Sequence, residues 1–177
     1  MDNEINTILK FLIYDDMMDF KCFNVLKEKL NEDKQFREKV KEGIKAGLIT
    51  KFPRDIIDNF NELNIRAPFK PIQILIDGAN IGTCTYMSKL VSYSLSSCYI
   101  CGGTLKVLEG TQNSPDGRHT WISYNGNILD TTLMIQINEK FKEQLGYTEE
   151  NRHNPNIDPI YSSAKEFAND KSINRKR

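Results

Sequence analysis

Apolar residues in the first third of the chain recur at helical spacing, with charged residues between them. This spacing predicts four amphipathic helices, because side chains three and four positions apart share one helix face. Gly47 is placed to end the third helix, over residues 33–46, and Pro53 suits the first turn of the fourth. The apolar positions of the four helices are Ile5, Ile8, Leu9 and Leu12; Phe23, Leu26 and Leu30; Phe36, Val40 and Ile44; and Ile56, Ile57 and Phe60.

The pattern changes after Pro68 and Pro71, where short β-rich runs replace the helical spacing. Phe141 and Leu145 lie four apart and indicate one further short helix, closed by Gly146. A helical bundle followed by a strand, a helix and antiparallel strands predicts an α+β fold. The elements predicted after the bundle are a strand at 72–76, a helix at 82–95, and strands at 97–109, 118–124 and 127–135.

The dipeptide Asn125-Gly126 predicts a tight hairpin between the last two strands, because both residues tolerate positive φ. A two-residue turn would pair Tyr124 with Asn127. Counting back along the strands then pairs Trp121 with Asp130 and His119 with Thr132. These four side chains share one face, on which His119 and Asp130 are diagonal neighbours. A shift of one residue in the register would separate them.

Composition and charge narrow the classes of function. The chain has 177 residues, with 24 Lys and Arg against 24 Asp and Glu, so no excess of positive charge favours nucleic-acid binding. A small basic surplus near the C-terminus, over residues 165–177, is typical of a solvated tail. No apolar run approaches the roughly 18 residues of a membrane span, and the acidic N-terminus is unlike a secretory signal. We therefore expect a cytoplasmic protein with no membrane partner and reduced cysteines.

Cys84 is the strongest candidate for chemistry. A nucleophilic cysteine needs a lowered thiol pKa, a nearby base and a group that orients this base. Cys84 lies at the predicted start of a helix, where the helix dipole favours a thiolate, and Gly82 would allow close approach of a substrate. An aspartate beside an imidazole, as predicted for Asp130 and His119, fixes the tautomer of the base.

These residues resemble the transglutaminase-like core of the papain-like cysteine enzymes. The resemblance rests on Gly82-Thr83-Cys84 before a helix, His119-Thr120-Trp121 on one strand and residues 128–132 on the next. It implies Cys84 as nucleophile, His119 as general base and acid, and Asp130 as the orienting group. The chain departs from the family in having Thr131 where a proline often follows the aspartate.

The same resemblance implies a nucleophile helix packed on an antiparallel sheet. The expected division is an N-terminal helical extension over residues 1–66, a transglutaminase-like catalytic core over 67–147 and a polar, loosely structured tail over 148–177. Asn80 and the Cys84 amide are candidates for an oxyanion hole, and Trp121 is expected to support the site by packing.

The expected reaction is acyl transfer through a thioester, without a cofactor. A hydrolase acting on a protein, peptide or small amide is the favoured interpretation, since water needs no second specific pocket. A transglutaminase-like acyltransferase with an amine acceptor and an inactive binding module of the same fold remain alternatives. No acidic loop has the spacing of an EF-hand calcium site.

Cys98 and Cys101 form a Cys-x-x-Cys motif that could be half of a zinc site. No second such motif exists in the sequence, and Cys84 and His119 could complete the site only by giving up their catalytic roles. On a strand, residues three apart face opposite ways. We therefore expect one core thiol and one exposed thiol, and a zinc-stabilised interaction domain is the less favoured alternative.

Overall fold

The computed structural model describes residues 2–19, 21–59, 84–93, 95, 97–105 and 118–153. Within these ranges the chain combines helices with an antiparallel sheet, so the predicted α+β class is confirmed. The strand predicted at residues 72–76 and the predicted positions of Asn80 and Gly82 lie outside the described residues.

The N-terminal helices follow the predicted apolar spacing. The Asp33 carboxylate accepts the Phe36 N–H at 2.9 Å and caps the third helix, which ends before Gly47 at φ +70°. Residues 54–59 are helical directly after Pro53, as predicted. Besides residues 54–59, the described helices are α1 (Asp2–Leu12), α2 (Lys21–Glu32), α3 (Lys34–Lys45) and α4 (Cys84–Tyr93), with 3₁₀ helices at Asp15–Met17 and Glu139–Leu145.

In the part of the chain that the structure describes, six strands form one sheet in the spatial order β1-β5-β4-β3-β2-β6, and each neighbouring pair is antiparallel. Among these strands β3 and β4 are central, and β1 and β6 lie at the two ends of the order. The strands are β1 (Ile49–Lys51), β2 (Tyr99–Thr104), β3 (Arg118–Tyr124), β4 (Asn127–Asp130), β5 (Ile135–Asn138) and β6 (Glu149–His153).

The predicted hairpin is present between β3 and β4. Asn125 and Gly126 have φ values of +50° and +75°, and Tyr124 pairs with Asn127. Ile122 pairs with Leu129, so their neighbours Trp121 and Asp130 lie together on the opposite face of the sheet. The predicted register is therefore confirmed for these strands, whereas the predicted pair of His119 with Thr132 is wrong, because β4 ends at Asp130.

Gly126 should be the more sensitive residue of this turn. A methyl group there would meet no atom within 4 Å, so Gly126→Ala should destabilise the protein only through the positive φ, by about 1–2 kcal/mol. Urea unfolding followed by circular dichroism measures this difference. Asn125→Gly, which keeps positive φ accessible, is the matched control and should cost less. Equal stability of Gly126→Ala and the wild type would contradict the prediction.

The strand predicted over residues 127–135 is divided by a turn. The Asp130 carboxylate accepts the N–H groups of Thr132 and Leu133 at 3.0 and 3.2 Å, which turns the chain out of the strand conformation. Met134 follows with φ +53°, and β5 then returns beside β4. The residue predicted to orient the histidine thus also ends its own strand.

The predicted loose tail is wrong at its beginning. Residues 149–153 form β6, which pairs with β2 through the backbone. The segment is polar throughout and lacks the alternation of apolar and polar residues that usually predicts a strand. It needs no such alternation, because it pairs with β2 through backbone hydrogen bonds.

The predicted N-terminal extension is also not a separate helical unit. It contributes β1 to the sheet, where Ile49 pairs with Ile137. One hydrophobic core joins its helices to the sheet and includes Leu9, Leu26 and Trp121. A helical pattern could not indicate this, because β1 has only three residues. Among the described residues, none of the helices has both the length and the apolar content needed to cross a membrane.

Candidate active site

Cys84 is the first residue of α4 and is a half-buried free thiol. Its sulfur contacts the His119 side chain together with the backbone and side chain of Thr120. Burial would raise the pKa of the Cys84 thiol, but the hydrogen bond and positive charge of His119, with the Thr120 donors, bring it below the ordinary value of 9.0. The lowered pKa increases the fraction of Cys84 that is present as the thiolate.

A hydrogen bond holds the helix of Cys84 against the strand of His119. The Ser88 hydroxyl, one turn into α4, is fully buried and donates to the Thr120 carbonyl at 3.3 Å. Met87 and Val91, also on α4, are fully buried in the core. The position of the thiol relative to β3 is thus maintained by packing and by a polar contact.

His119 lies on β3 with 8% of its surface exposed, and its Nε2 is 3.2 Å from Asp130 Oδ2. Burial would lower the pKa of the imidazole, but the negative charge of Asp130, supported by Cys84, raises it to about 9. His119 is therefore an imidazolium at neutral pH. Since Asp130 occupies Nε2, Nδ1 is the ring nitrogen left for Cys84.

Asp130 is the last residue of β4 and is almost fully buried. Its Oδ1 accepts the backbone N–H groups of Thr132 and Leu133, and its Oδ2 accepts from His119 and from the Tyr147 hydroxyl. Burial would raise the pKa of the carboxyl, but His119 and these hydrogen bonds lower it to about 2. Asp130 is thus a fixed anion beside His119.

Tyr147 is a member of the site that the sequence pattern did not reveal. It is 1% exposed, and its ring packs edge-on against Trp121 at 5.4 Å and lies 5.9 Å from the His119 ring. Burial, together with the charge of Asp130, raises its pKa well above 10.0, so the phenol keeps its proton. The one local signal is Gly146, whose φ of +88° ends the 3₁₀ turn and directs the chain back to the sheet.

Trp121 packs beside His119, and Lys29 interacts electrostatically with Asp130. Trp121 is buried beside His119, with ring centroids 6.1 Å apart, which agrees with the predicted packing role. The Lys29 ammonium, from α2, lies 4.4 Å from the centroid of the Phe36 ring. Burial lowers the pKa of Lys29, and the charges of Asp130 and Asp33 oppose this. Through Lys29, the N-terminal helices therefore supply a positive charge that interacts with the Asp130 carboxylate.

Gly103 allows the chain segment after Tyr147 to approach β2. A Cβ on Gly103 would lie 1.3 Å from the Thr148 carbonyl oxygen and 2.5 Å from the Trp121 ring, so the backbone would have to move. Gly103→Ala should destabilise the protein by about 2–3 kcal/mol, as measured by denaturant unfolding. The matched control is Gly43→Ala, where the atoms nearest to a Cβ belong to the side chains of Ile49 and Phe141. A larger loss for Gly43→Ala than for Gly103→Ala would contradict this account.

The predicted division of Cys98 and Cys101 into one core and one exposed thiol is wrong, since both are buried. Cys98 precedes β2, which begins at Tyr99, so the alternation of strand side chains does not apply to it. Burial raises the pKa of Cys98 to about 12, with a smaller contribution from Cys101. Across the described ranges, no three His, Cys, Asp or Glu side chains cluster in a way that could hold a metal ion.

The structure brings together Cys84, His119 and Asp130, the three residues predicted to act in catalysis. Their catalytic roles stay predictions, as does the resemblance to the transglutaminase-like core, which rests on these residues and their order in the chain. No protein-family model, curated protein or solved structure matches this chain.

Proposed function

We propose that this protein is a cysteine-dependent hydrolase, a peptidase or amidase, that works through a Cys84–His119–Asp130 triad on a papain-like, transglutaminase-like core. The observation that carries the proposal is a buried histidine, His119, that contacts a thiol on one side and an anchored carboxylate on the other. This arrangement supplies a nucleophile, an acid–base group and its orienting partner in one place.

In the first half of the reaction, the Cys84 thiolate attacks the carbonyl carbon of an amide. The carbonyl π electrons move to its oxygen, and the backbone N–H of Cys84, at the start of α4, is the proposed donor to the oxyanion. When the tetrahedral intermediate collapses, the C–N bond breaks and the His119 imidazolium donates its proton to the leaving amine. The products are a free amine, a Cys84 thioester and a neutral imidazole.

In the second half, water attacks the thioester carbonyl while His119 takes a proton from it. Collapse of the second intermediate breaks the C–S bond, which releases the acid and restores the thiolate–imidazolium pair. Asp130 keeps its charge throughout, because its pKa of about 2 lies far below neutral pH. A primary amine in place of water would give the acyltransferase alternative, with the same residues in the same roles.

Acylation by a small activated ester tests this function. Wild-type protein mixed with p-nitrophenyl acetate should release a stoichiometric burst of nitrophenol and carry one acetyl group on Cys84, located by mass spectrometry of peptides. Cys84→Ala should show neither. Cys22→Ala is the matched control, because burial raises the pKa of that thiol to about 11. Acetylation that is unaffected by Cys84→Ala would overturn the proposal.

The acceptor is determined in the same assay. Adding a primary amine at increasing concentration should leave the burst unchanged, and the fraction of acyl groups recovered as amide measures amine transfer. For a hydrolase, acid remains the main product. Amide as the main product at millimolar amine would favour an acyltransferase.

The rate of acylation should have a bell-shaped dependence on pH. The Cys84–His119 ion pair forms as the pH rises through the pKa of Cys84. Since this pKa is lowered from 9.0, the increase in rate should be centred below pH 9.0. The rate should fall as His119 loses its proton near pH 9, because the leaving group then has no acid. Amide hydrolysis between pH 4 and pH 10 measures the profile. A single rise centred at the ordinary thiol pKa would contradict an ion pair.

A further inference from the structure

Tyr147 is placed to act on His119 through a shared partner. The phenol donates to Asp130 Oδ2, the same oxygen that accepts from His119 Nε2. The other oxygen, Oδ1, is held by two backbone N–H groups and cannot turn to replace it without losing both. Within residues 118–153 the carboxylate therefore accepts four hydrogen bonds, about as many as its lone pairs allow.

Packing holds the phenol in this position. Tyr147 is almost fully buried, and its ring stands at 90° to that of Trp121, which itself lies against His119. Since a neutral donor competes with the imidazolium for the same oxygen, it disperses negative charge that would otherwise act more strongly on His119.

We propose that Tyr147 is a positioning residue that shares Asp130 Oδ2 with His119 and thereby weakens the hydrogen bond between this carboxylate and the imidazolium. Without the phenol, Asp130 would bind the proton of His119 more firmly, and the imidazolium would be a weaker acid toward a leaving group. The proposal deepens the proposed function, since it rests on His119 as the acid–base group, but the phenol's effect on the imidazole can be measured without turnover.

Other charged and titratable groups also interact with His119 and Asp130, and these groups must be the same in all variants that are compared. Cys84 faces His119 from α4, and Lys29 acts on Asp130 from α2, with Asp33 acting on Lys29 in turn. A Cys84→Ala background removes the thiol, and none of the variants below alters Lys29 or Asp33.

The test is the titration of His119 by NMR in the Cys84→Ala protein. The chain has two histidines, so the imidazole signals are few, and His153→Gln assigns them. Tyr147→Phe keeps the ring against Trp121 and removes only the hydroxyl. We expect it to raise the pKa of His119 by about 0.5 to 1. Tyr124→Phe, on the same strand as His119 but in the hairpin, is the matched control and should leave this pKa unchanged.

A second comparison shows whether the effect passes through Asp130. In an Asp130→Asn background the carboxylate charge is absent, so Tyr147→Phe should no longer raise the pKa of His119. An equal rise in both backgrounds, or an unchanged or lower pKa after Tyr147→Phe, would overturn the proposal.

A fluorinated tyrosine at position 147 covers the case in which Tyr147→Phe fails to fold. Tyr147→3-fluorotyrosine keeps the ring and the hydroxyl but makes the phenol a stronger donor, so the pKa of His119 should fall. A purely structural role of Tyr147 predicts no change. If the pKa values move as expected while Cys84 forms no acyl-enzyme, the proposed function fails and the role of Tyr147 stands.

Discussion

Replacement of His119 by alanine should slow the alkylation of Cys84 by iodoacetamide at pH 7 on the order of tenfold. A thiol at the ordinary pKa of 9.0 is only about 1% ionised at this pH, and His119 is the main group that holds the pKa of Cys84 lower. The gain in thiolate is partly offset, because a less basic thiolate is a weaker nucleophile. A large but limited loss of reactivity is therefore expected.

Mass spectrometry of peptides after timed labelling gives the rate at each cysteine. Cys22 and Cys98 should stay unlabelled in the folded protein, because burial raises their pKa values to about 11 and about 12. The matched control is His153→Ala, which removes the second histidine from β6 and should leave the rate at Cys84 unchanged. Equal labelling rates for wild type and His119→Ala would show that the thiol is not activated by its neighbour.

The contact between His119 and Asp130 could be predicted because every step toward it is local. Asn125 and Gly126 specify a two-residue turn, and the turn specifies the register of β3 against β4. The alternation of side chains then places the histidine and the aspartate on one face. The start of α4 could be predicted for a similar reason, since helical spacing begins next to Cys84.

The hydrogen bond of Tyr147 to Asp130 and the electrostatic interaction of Lys29 with Asp130 could not be predicted in this way. Tyr147 meets Asp130 across 17 residues of chain that include a turn, a strand and a 3₁₀ turn, and small changes in any of these would redirect its ring. Lys29 lies about a hundred positions before Asp130, on a helix whose alternating charges look like ordinary solvated surface. Tertiary packing alone decides such contacts.

The edge strands of the sheet escaped prediction for a different physical reason. β1 has three residues and β6 has no apolar alternation, so neither shows a side-chain pattern. Both pair through the backbone with a neighbouring strand, β1 with β5 and β6 with β2. The segment that was expected to be a helical extension therefore belongs to the same core as the site, and it brings Lys29 near Asp130.

The same burial that makes Asp130 useful to His119 makes the pair important for stability. Asp130→Asn leaves the side chain nearly unchanged in size but removes the charge that balances the buried imidazolium. Loss of one partner from a buried pair costs about 3–5 kcal/mol, because the other charge stays buried without compensation. Chemical unfolding at pH 5 should therefore show a loss of this order for Asp130→Asn.

The pH dependence of this loss separates a charge effect from a change in shape. The lowered pKa of Asp130 stabilises the fold above pH 3.8, and this contribution is lost as the pH falls through about 2. The raised pKa of His119 stabilises the fold below pH 6.5, and this contribution is lost as the pH rises through about 9. The difference in unfolding free energy between wild type and Asp130→Asn should thus be greatest between about pH 4 and pH 6.5 and should shrink on both sides.

Asp16→Asn, which breaks an exposed ion pair with Arg54, is the matched control and should have a much smaller effect. A difference for Asp130→Asn that stayed constant from pH 3 to pH 9 would mean that the side chain stabilises the fold by its shape and its turn hydrogen bonds rather than by its charge.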